Sequence, residues 1–253
     1  MVEARLLGVR PEFAWLDKWM DQEGLTVDAP WPEGADPSGG IASLIQYAWE
    51  VGTAHWTLNS NTDGVAVRSI ERLRGLPVFS LEWSVDISNS TMQHFVDLNL
   101  LSMAERAAAW DSTFAGADYL ATLGSADENL SGYARLVRWK FNAAPLGKRE
   151  MLYLVVPFVS ADETMISYIS VRSTKYPTLA GYTRAKNLVP SFDLARRIDG
   201  GIHVRHLLTT SIGGLIPNCL WNGVFKGAVL KQAVEEAQKV RAVLGTSAGA
   251  TTS

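Results

Sequence analysis

Residues 217–244 read PNCLWNGVFKGAVLKQAVEEAQKVRAVL, and this stretch decides the fold. Its apolar side chains recur at intervals of three and four residues, which places them on one face of a helix. They are Leu220, Val224, Ala228, Val229, Ala233, Ala237, Val240 and Leu244. Lys231, Glu235 and Lys239 form a solvated stripe spaced by four residues, and Gly245 suits the C-terminal cap. The pattern therefore predicts one long amphipathic helix.

Upstream of this helix, strand patterns dominate. The segment Asn61-Thr62-Asp63-Gly64 predicts a hairpin turn between two alternating stretches. Strands are predicted near 53–59, 64–72, 76–88, 115–123, 130–141, 149–159, 163–174, 180–188, 191–197 and 202–211. Further helices are predicted at 11–23, 41–51 and 90–109, from apolar residues at helical spacing.

This order of elements predicts an α+β protein with a helix-grip fold. A long antiparallel sheet and one long amphipathic helix each have a face to bury, so we expect the sheet to curve around the C-terminal helix and enclose an internal cavity. We expect residues 1–40 to form a helical extension with a Pro/Gly-rich linker at 28–40. The ligand-binding domain is expected at 41–245, and residues 246–253 form a flexible tail.

Composition excludes several classes of protein. The chain has 253 residues, is 47% hydrophobic, and carries a net charge of −3 from 23 Lys+Arg against 26 Asp+Glu. It is too apolar for a disordered protein, and it lacks the clustered basic residues of a nucleic-acid binder. The single cysteine, Cys219, cannot form an internal disulfide, which indicates a reducing compartment. We therefore expect a cytoplasmic protein with no nucleic-acid partner.

No motif in the sequence assembles a catalytic or metal site. Gly245-Thr246-Ser247-Ala248-Gly249 matches the spacing of a nucleophile elbow, but it follows a helix and no histidine comes after it. His203 and His206 are three residues apart, so in a strand their side chains point to opposite faces and cannot share one metal ion. We expect no cofactor and no metal, and binding is favoured over catalysis.

Four further elements resemble the START (steroidogenic-acute-regulatory-related lipid transfer) domain family. Residues 104–111, AERAAAWD, are similar to the Arg-x-x-x-Trp-Asp element before the family's fourth strand. Residues 148–150, KRE, resemble the Arg-Asp pair that opens a later strand. Residues 173–177 and 181–185 resemble the His-x-x-x-Pro and Gly-Tyr-Val-Arg-Ala elements. Residues 207–221 resemble the last strand, the Gly-x-x-Pro turn and the start of the C-terminal helix.

The resemblance spans roughly residues 41–244 and implies the same helix-grip fold. It also implies a function, in which one lipid or other hydrophobic molecule is held in an internal cavity and carried through water. The C-terminal helix and the adjacent loops would form the gate, and Gly213, Gly214, Gly223 and Gly227 would ease its movement. Transient contact with a membrane surface is expected from such a carrier.

The sequence departs from the family pattern at positions that bear on the ligand. Ser211 replaces the acidic residue common before the Gly-x-x-Pro turn, and Ser173 replaces the histidine of His-x-x-x-Pro. Sterol-binding members have a buried arginine where this chain has Val155. The missing charge suggests a different ligand, such as a carotenoid, another isoprenoid or a fatty acid.

The candidate ligand-binding residues follow from strand alternation and from the resemblance. If Val155 faces the cavity, other residues of its strand share that face, and so do the residues that alternate with His206. Four helix positions are expected to face the sheet. The predicted set is Met151, Tyr153, Val155, Asn187, His206, Leu208, Thr210, Phe225, Ala228, Val229 and Gln232.

Two other functions stay open. A cyclase-like enzyme on a helix-grip scaffold would need ionisable groups in the cavity, and His206 with Tyr153 or Arg135 is the set that the sequence offers. A regulatory interaction module with a vestigial cavity is the third hypothesis, because fold alone does not fix function.

Overall fold

The computed structural model describes most of the chain. The described residues are 14–28, 40–51, 56–70, 80–125, 130–142, 147–187, 189–211 and 226–246. The helices are α1 (Ala14–Glu23), α2 (Gly40–Val51), α3 (Met92–Val96), α4 (Met103–Trp110) and α5 (Lys226–Thr246). A π-helical turn, Asp97–Leu101, follows α3, and a 3₁₀ turn spans Leu130–Gly132.

The strands occupy most of the remaining described residues. They are β1 (Leu25–Val27), β2 (Thr57–Thr62), β3 (Val65–Ile70), β4 (Ser80–Ser88), β5 (Phe114–Leu123), β6 (Ala134–Asn142), β7 (Lys148–Val159), β8 (Glu163–Ser173), β9 (Thr183–Arg184), β10 (Lys186–Asn187), β11 (Ser191–Ile198), β12 (Gly201–Leu208) and β13 (Thr210–Ser211). The strand predicted at 180–188 is two short strands, and the helix predicted at 90–109 is interrupted by the π turn.

One large sheet organises the described part of the chain. Its order is β2-β3-β4-β12-β11-β8-β7-β6-β5, with every neighbouring pair antiparallel. β1 pairs with the end of β8, β9 pairs with β7, and β10 pairs separately with β13. The predicted fold class, a curved antiparallel sheet with a C-terminal helix, is confirmed.

The first hairpin shows why the local sequence folds as predicted. Asp63 and Gly64 both adopt positive φ, 53° and 75°, as the type I′ turn between β2 and β3 requires. Gly tolerates this conformation without steric cost, and Asp is among the residues that adopt it most readily.

The concave face of the sheet and α5 enclose the first hydrophobic core. α5 packs against β3 and β4 through Ala233, Ala237, Val240 and Leu244, all almost fully buried. The predicted apolar face of the helix is thus confirmed for its C-terminal half. Leu220 and Val224 lie outside the described residues, and Ala228 is exposed.

The convex face carries a second core, built with the N-terminal elements. Leu16, Trp19 and Met20 of α1 and Ile41 of α2 pack on the back of β6, β7, β8 and β11. The ion pair Lys175–Glu23, 2.5 Å long, ties α1 to the segment after β8. These described parts of the N-terminal extension pack on the sheet, while linker residues 29–39 and tail residues 247–253 lie outside the described residues. The domain boundaries stay a prediction.

None of the described helices is long and apolar enough to cross a bilayer.

Candidate ligand-binding site

Three neighbouring strands place Trp83, His206 and Asp193 side by side on the concave face. His206 of β12 is the cross-strand partner of both Trp83 on β4 and Asp193 on β11. The rings of Trp83 and His206 stack with centroids 5.4 Å apart. Nδ1 of His206 lies 2.6 Å from Oδ1 of Asp193. The pleat of the sheet alone brings these side chains together, because cross-strand partners share a face.

Asp193 is the centre of a buried polar cluster. Its side chain is 1% exposed, and its second carboxylate oxygen accepts a hydrogen bond of 2.7 Å from the hydroxyl of Tyr168. Nη2 of Arg106 lies 3.7 Å from the same oxygen. Nη1 of Arg106 donates to Oδ1 of Asn99. Asn99, Arg106, Tyr168, Asp193 and His206 thus form one connected network, which we call the Asp193 cluster.

The π-helical turn explains how Asn99 reaches this cluster. Such turns widen a helix locally and release backbone groups from the regular pattern. Here the Asn99 carbonyl oxygen lies 3.2 Å from the hydroxyl of Tyr168, and its side-chain amide donates to the carbonyl of Phe95. Arg106, eight residues before the start of β5, is the arginine of the START-like element, so the structure gives that element a role as ion-pair partner of Asp193.

Charged partners oppose the effect of burial on Asp193 and His206. Burial alone would raise the pKa of Asp193, but the charges of His206 and Arg106 and the hydrogen bonds from His206 and Tyr168 outweigh it and lower that pKa. Burial would lower the pKa of His206, but the charge and hydrogen bond of Asp193, together with the charge of Glu236, raise it instead. Burial and the Asp193 charge together hold the pKa of Tyr168 well above its usual value. These shifts favour the charged forms of Asp193 and His206 and the neutral form of Tyr168.

A second polar group lies next to this cluster. The hydroxyl of Tyr153 donates to Oδ1 of Asn187 at 3.1 Å and contacts the sulfur of Met151. The backbone N–H of Asn187 donates to Oγ of Ser170 at 2.7 Å, and its side-chain amide donates to the Tyr168 carbonyl at 3.3 Å. The structure therefore joins three predicted site residues, Met151, Tyr153 and Asn187, in one buried contact.

Of the other predicted site residues, Val155 and Leu208 contribute to the core on the concave face, together with Val229 of α5. Thr210 is the strand partner of Asn187. Phe225 lies outside the described residues.

Ala228 and Gln232 do not face the sheet, contrary to prediction. Both are exposed, and Gln232 lines a surface cleft of about 90 Å³ between α4 and α5. At about 100° per residue, these positions lie roughly 100–140° around the helix from Ala233, which is buried on the sheet. The sheet-facing stripe is instead formed by Val229, Ala233 and Ala237, which the apolar spacing of the sequence also predicts.

Sequence reasoning gave too little weight to two charged residues, Asp193 and Arg135, on the concave face of the sheet. Asp193, the centre of the main cluster, was not among the candidates, although an aspartate within the apolar stretch SFDLA is an unusual strand residue. Arg135 is the cross-strand partner of Val155. The positive charge that is missing at Val155 is thus supplied by Arg135 on the adjacent strand.

On the convex face, two other START-like elements meet. Glu150 is fully buried and forms ion pairs with Arg184 at 2.6 Å and Arg138 at 3.3 Å. Arg184 and Arg138 also donate to the carbonyls of Tyr176 and Pro177. These contacts hold the segment between β8 and β9 on the sheet, which is a structural role.

Comparison with solved structures gives matches over most of the chain. Human StAR-related lipid transfer protein 5 superposes with a TM-score of 0.61 at 14% identity, over 79% of this chain and 96% of that chain. The protein has the START fold. Human STARD10 gives a TM-score of 0.59 at 17% identity, over 78% of this chain and 79% of that chain. The STAR-related lipid transfer protein of Xanthomonas axonopodis gives 0.56 at 19% identity, over 76% and 99%.

The sequence comparisons do not add to this result. No protein-family model matches the START-fold chain, and no curated protein sequence matches it. At such low identities the structural likeness shows the fold, and the function has to be argued from the site.

Proposed function

We propose that the protein binds one hydrophobic molecule, a lipid or lipid-like amphiphile, against the concave face of the sheet and carries it through water. The observation that carries this proposal is the composition of that face. It is a broad apolar face, buried under α5, in which the polar groups, the Asp193 cluster and the Tyr153–Asn187 pair, are held in place by hydrogen bonds. Apolar walls with a few oriented polar groups are typical of small-molecule sites.

The energetics of such a site need no covalent chemistry. Ligand sites of this kind enclose about 300–1,000 Å³, and each buried CH₂ group contributes roughly 0.8 kcal/mol. A long acyl or isoprenoid chain would therefore supply ample affinity from burial alone. The burial of an apolar chain alone does not distinguish among the candidate ligands, which are phosphoglycerides, fatty acids, sterol-like molecules and isoprenoids, including carotenoids.

We propose no catalytic role, because the ionisable groups are occupied by one another. His206 is bound through Nδ1 to Asp193, and the hydroxyl of Tyr153 contacts Asn187 and Met151. The groups suggested for a cyclase-like enzyme were His206 with Tyr153 or Arg135, and Arg135 contacts the rings of Tyr119 and Tyr133.

In this proposal α5 is the gate, together with the adjacent loops. The polar contacts between α5 and the rest of the described structure include two hydrogen bonds: Nζ of Lys239 donates to the Trp110 carbonyl at 3.3 Å, and Nη1 of Arg241 donates to the Asp63 carbonyl. An element that is held by few polar contacts can open locally at a low cost in free energy, as a gate must. Delivery would involve transient contact with a membrane surface, and we propose a cytoplasmic carrier without a nucleic-acid partner.

Ligand uptake by the delipidated protein tests this proposal. Vesicles containing a panel of fluorescent lipids are mixed with the protein, and we expect uptake that saturates at one molecule per chain. Leu208→Trp places bulk on the concave face and should abolish uptake, whereas the matched control Leu58→Trp changes an exposed residue of β2 and should not. Circular dichroism checks that both variants fold.

Two results would count against the proposal. Absence of uptake from the whole panel by the folded wild-type protein would favour a regulatory module with a vestigial cavity. Uptake that Leu208→Trp leaves unchanged would show that any ligand binds elsewhere.

A further inference from the structure

Arg135 occupies an unusual place on the concave face. It lies on β6 directly across from Val155, and its neighbours on the same face of β6 are the buried residues Tyr133 and Val137. Its guanidinium carbon lies 4.7 Å from the ring centroid of Tyr119 and 5.3 Å from that of Tyr133. Two aromatic rings thus fix the position of a cation beside an apolar wall.

The other arginines that are enclosed in the sheet differ from Arg135 in their partners. Arg106, Arg138, Arg184 and Arg205 each lie within 3.7 Å of a carboxylate oxygen. Arg135 forms no ion pair with an acidic side chain in the described part of the chain. Its Nε atom is enclosed and has no hydrogen-bond acceptor. A partly buried cation without a counter-ion is unfavourable unless another group supplies the negative charge.

The enclosed polar atoms that lack partners on the concave face of the described strands share one chemical property. They are Nε of Arg135, Nε1 of Trp139 and Nε1 of Trp83. All three are hydrogen-bond donors. Arg135 and Trp139 stand on the same face of β6, four residues apart. A ligand that completes this face must therefore bring acceptors, and beside Arg135 the best acceptor is an anion.

The contacts with the tyrosines engage only part of the guanidinium. Arg135 donates a hydrogen bond to the Tyr119 side chain, but a guanidinium carries five N–H groups, whose fork matches the oxygens of a carboxylate or phosphate. Asp193, the buried carboxylate on the concave face, already pairs with His206 and Arg106. The charge of Arg135 thus remains for the ligand.

We propose that Arg135 binds the anionic headgroup of the ligand, a carboxylate or a phosphate, and thereby selects acidic amphiphiles. This proposal rests on the proposed function and narrows it. A fatty acid or an acidic phospholipid fits this site better than an uncharged carotenoid does.

Paired ligands that differ only in charge test the proposal. The delipidated full-length protein is titrated with palmitate and with hexadecanol, and separately with phosphatidic acid and diacylglycerol presented in phosphatidylcholine vesicles. We expect the wild-type protein to bind the acidic member of at least one pair about 10- to 100-fold more tightly, the range that hydrogen bonds between charged groups provide. Inorganic phosphate at millimolar concentration should not compete, because it lacks the chain.

Variants of Arg135 separate its role from general effects. Arg135→Gln should remove the preference for the acid and leave hexadecanol or diacylglycerol binding unchanged, and Arg135→Lys should restore part of the preference. Arg197→Gln makes the same charge change on an exposed residue and serves as the control. Because Arg135 has no carboxylate partner, Arg135→Gln should unfold at the wild-type temperature or above it.

The results that would contradict the proposal lead to different conclusions. Equal affinity of the wild-type protein for acid and neutral analogue, or an equal loss of both in Arg135→Gln, overturns the role of Arg135 and leaves the carrier function standing. If neither member of either pair binds, the proposed function itself fails. Competition by inorganic phosphate would show an anion site independent of a lipid.

Discussion

Arg184 binds Glu150 across 34 residues of sequence, with Nε 2.8 Å and Nη2 2.6 Å from the same carboxylate oxygen, Oε1. Glu150 is fully buried, and its other oxygen faces Arg138 at 3.3 Å. One carboxylate thus neutralises two guanidinium groups and fastens the segment before β9 to β6 and β7.

Glu150→Gln should destabilise the fold strongly. It leaves Arg138 and Arg184 without their counter-charge beneath a covering segment, and breaking a buried pair in this way costs about 3–5 kcal/mol. Urea unfolding measures the change in the free energy of unfolding. As a control, Glu235→Gln breaks an exposed pair with Lys231, 3.7 Å long, and should cost nothing measurable. Equal, small effects of the two variants would contradict a structural role for Glu150.

The Asp193–His206 pair should make stability depend on pH in a defined direction. The folded protein raises the pKa of His206, so this group stabilises the fold below the ordinary histidine pKa of about 6.5, and that contribution is lost as pH rises through the folded-state value. The pKa of Asp193 is lowered, so its contribution is present above the ordinary aspartate pKa and is lost as pH falls through the lowered value.

Urea unfolding of the wild-type protein and His206→Gln between pH 5.5 and 9 measures the histidine part. We expect the stability advantage of the wild-type protein to be largest at the acidic end of this range and to shrink as pH rises. His203→Gln is the control, because His203 is only partly buried and is paired with the exposed Asp86. A wild-type advantage that grows with pH would contradict the charged pair.

Sequence reasoning predicted the sheet and the last helix because both rest on local signals. Alternation of apolar and polar residues predicted β6, β7 and β8. Asp63 and Gly64 predicted the hairpin turn, because both residue types tolerate the positive φ angles that the turn requires. The four START-like elements were visible for the same reason. Two of these elements meet at Glu150, and the arginine of another pairs with Asp193. The elements therefore contain residues that contact each other or the sheet in the folded chain.

The candidate site was predictable only in part, because it is made of contacts between strands that are distant in sequence. Alternation placed Met151, Tyr153 and Val155 on one face, but not the register that sets Arg135 opposite Val155. The apolar spacing predicted Ala233 and Ala237 on the sheet-facing side of α5, but it did not give the width of the buried stripe. That width depends on packing against β3 and β4, which leaves Ala228 and Gln232 exposed.

The register between Arg135 and Val155 gives a third prediction. Val155→Arg places a second guanidinium opposite the first, with Cα atoms about 4.5–5.5 Å apart in an antiparallel pair, and should cost about 3 kcal/mol or more. The double variant Arg135→Val/Val155→Arg keeps one cation on this face and should recover part of the loss. Thermal and urea unfolding of the four proteins measure the coupling. Additive effects would mean that the two side chains do not share a face.

The contacts of α5 give a fourth prediction, about rates. Lys239→Gln with Arg241→Gln weakens both polar contacts that hold α5 to Trp110 and Asp63, so lipid uptake should become about two- to tenfold faster per contact, the range of one net hydrogen bond. Stopped-flow fluorescence measures the rate, and equilibrium affinity should change little. Lys231→Gln, which removes an ion pair with Glu235 within the same helix, is the control. An unchanged rate would argue against α5 as the gate.

A protein that carries one hydrophobic molecule on the concave face should retain it through purification. Native mass spectrometry of the freshly purified protein tests this, followed by organic extraction, identification of the released molecule and an absorption spectrum of the extract. We expect a single bound amphiphile per chain, with an acidic headgroup and no visible absorbance. A protein that is empty and stays empty after exposure to a lipid panel would contradict the carrier function, and a stoichiometric uncharged polyene would contradict the role given to Arg135.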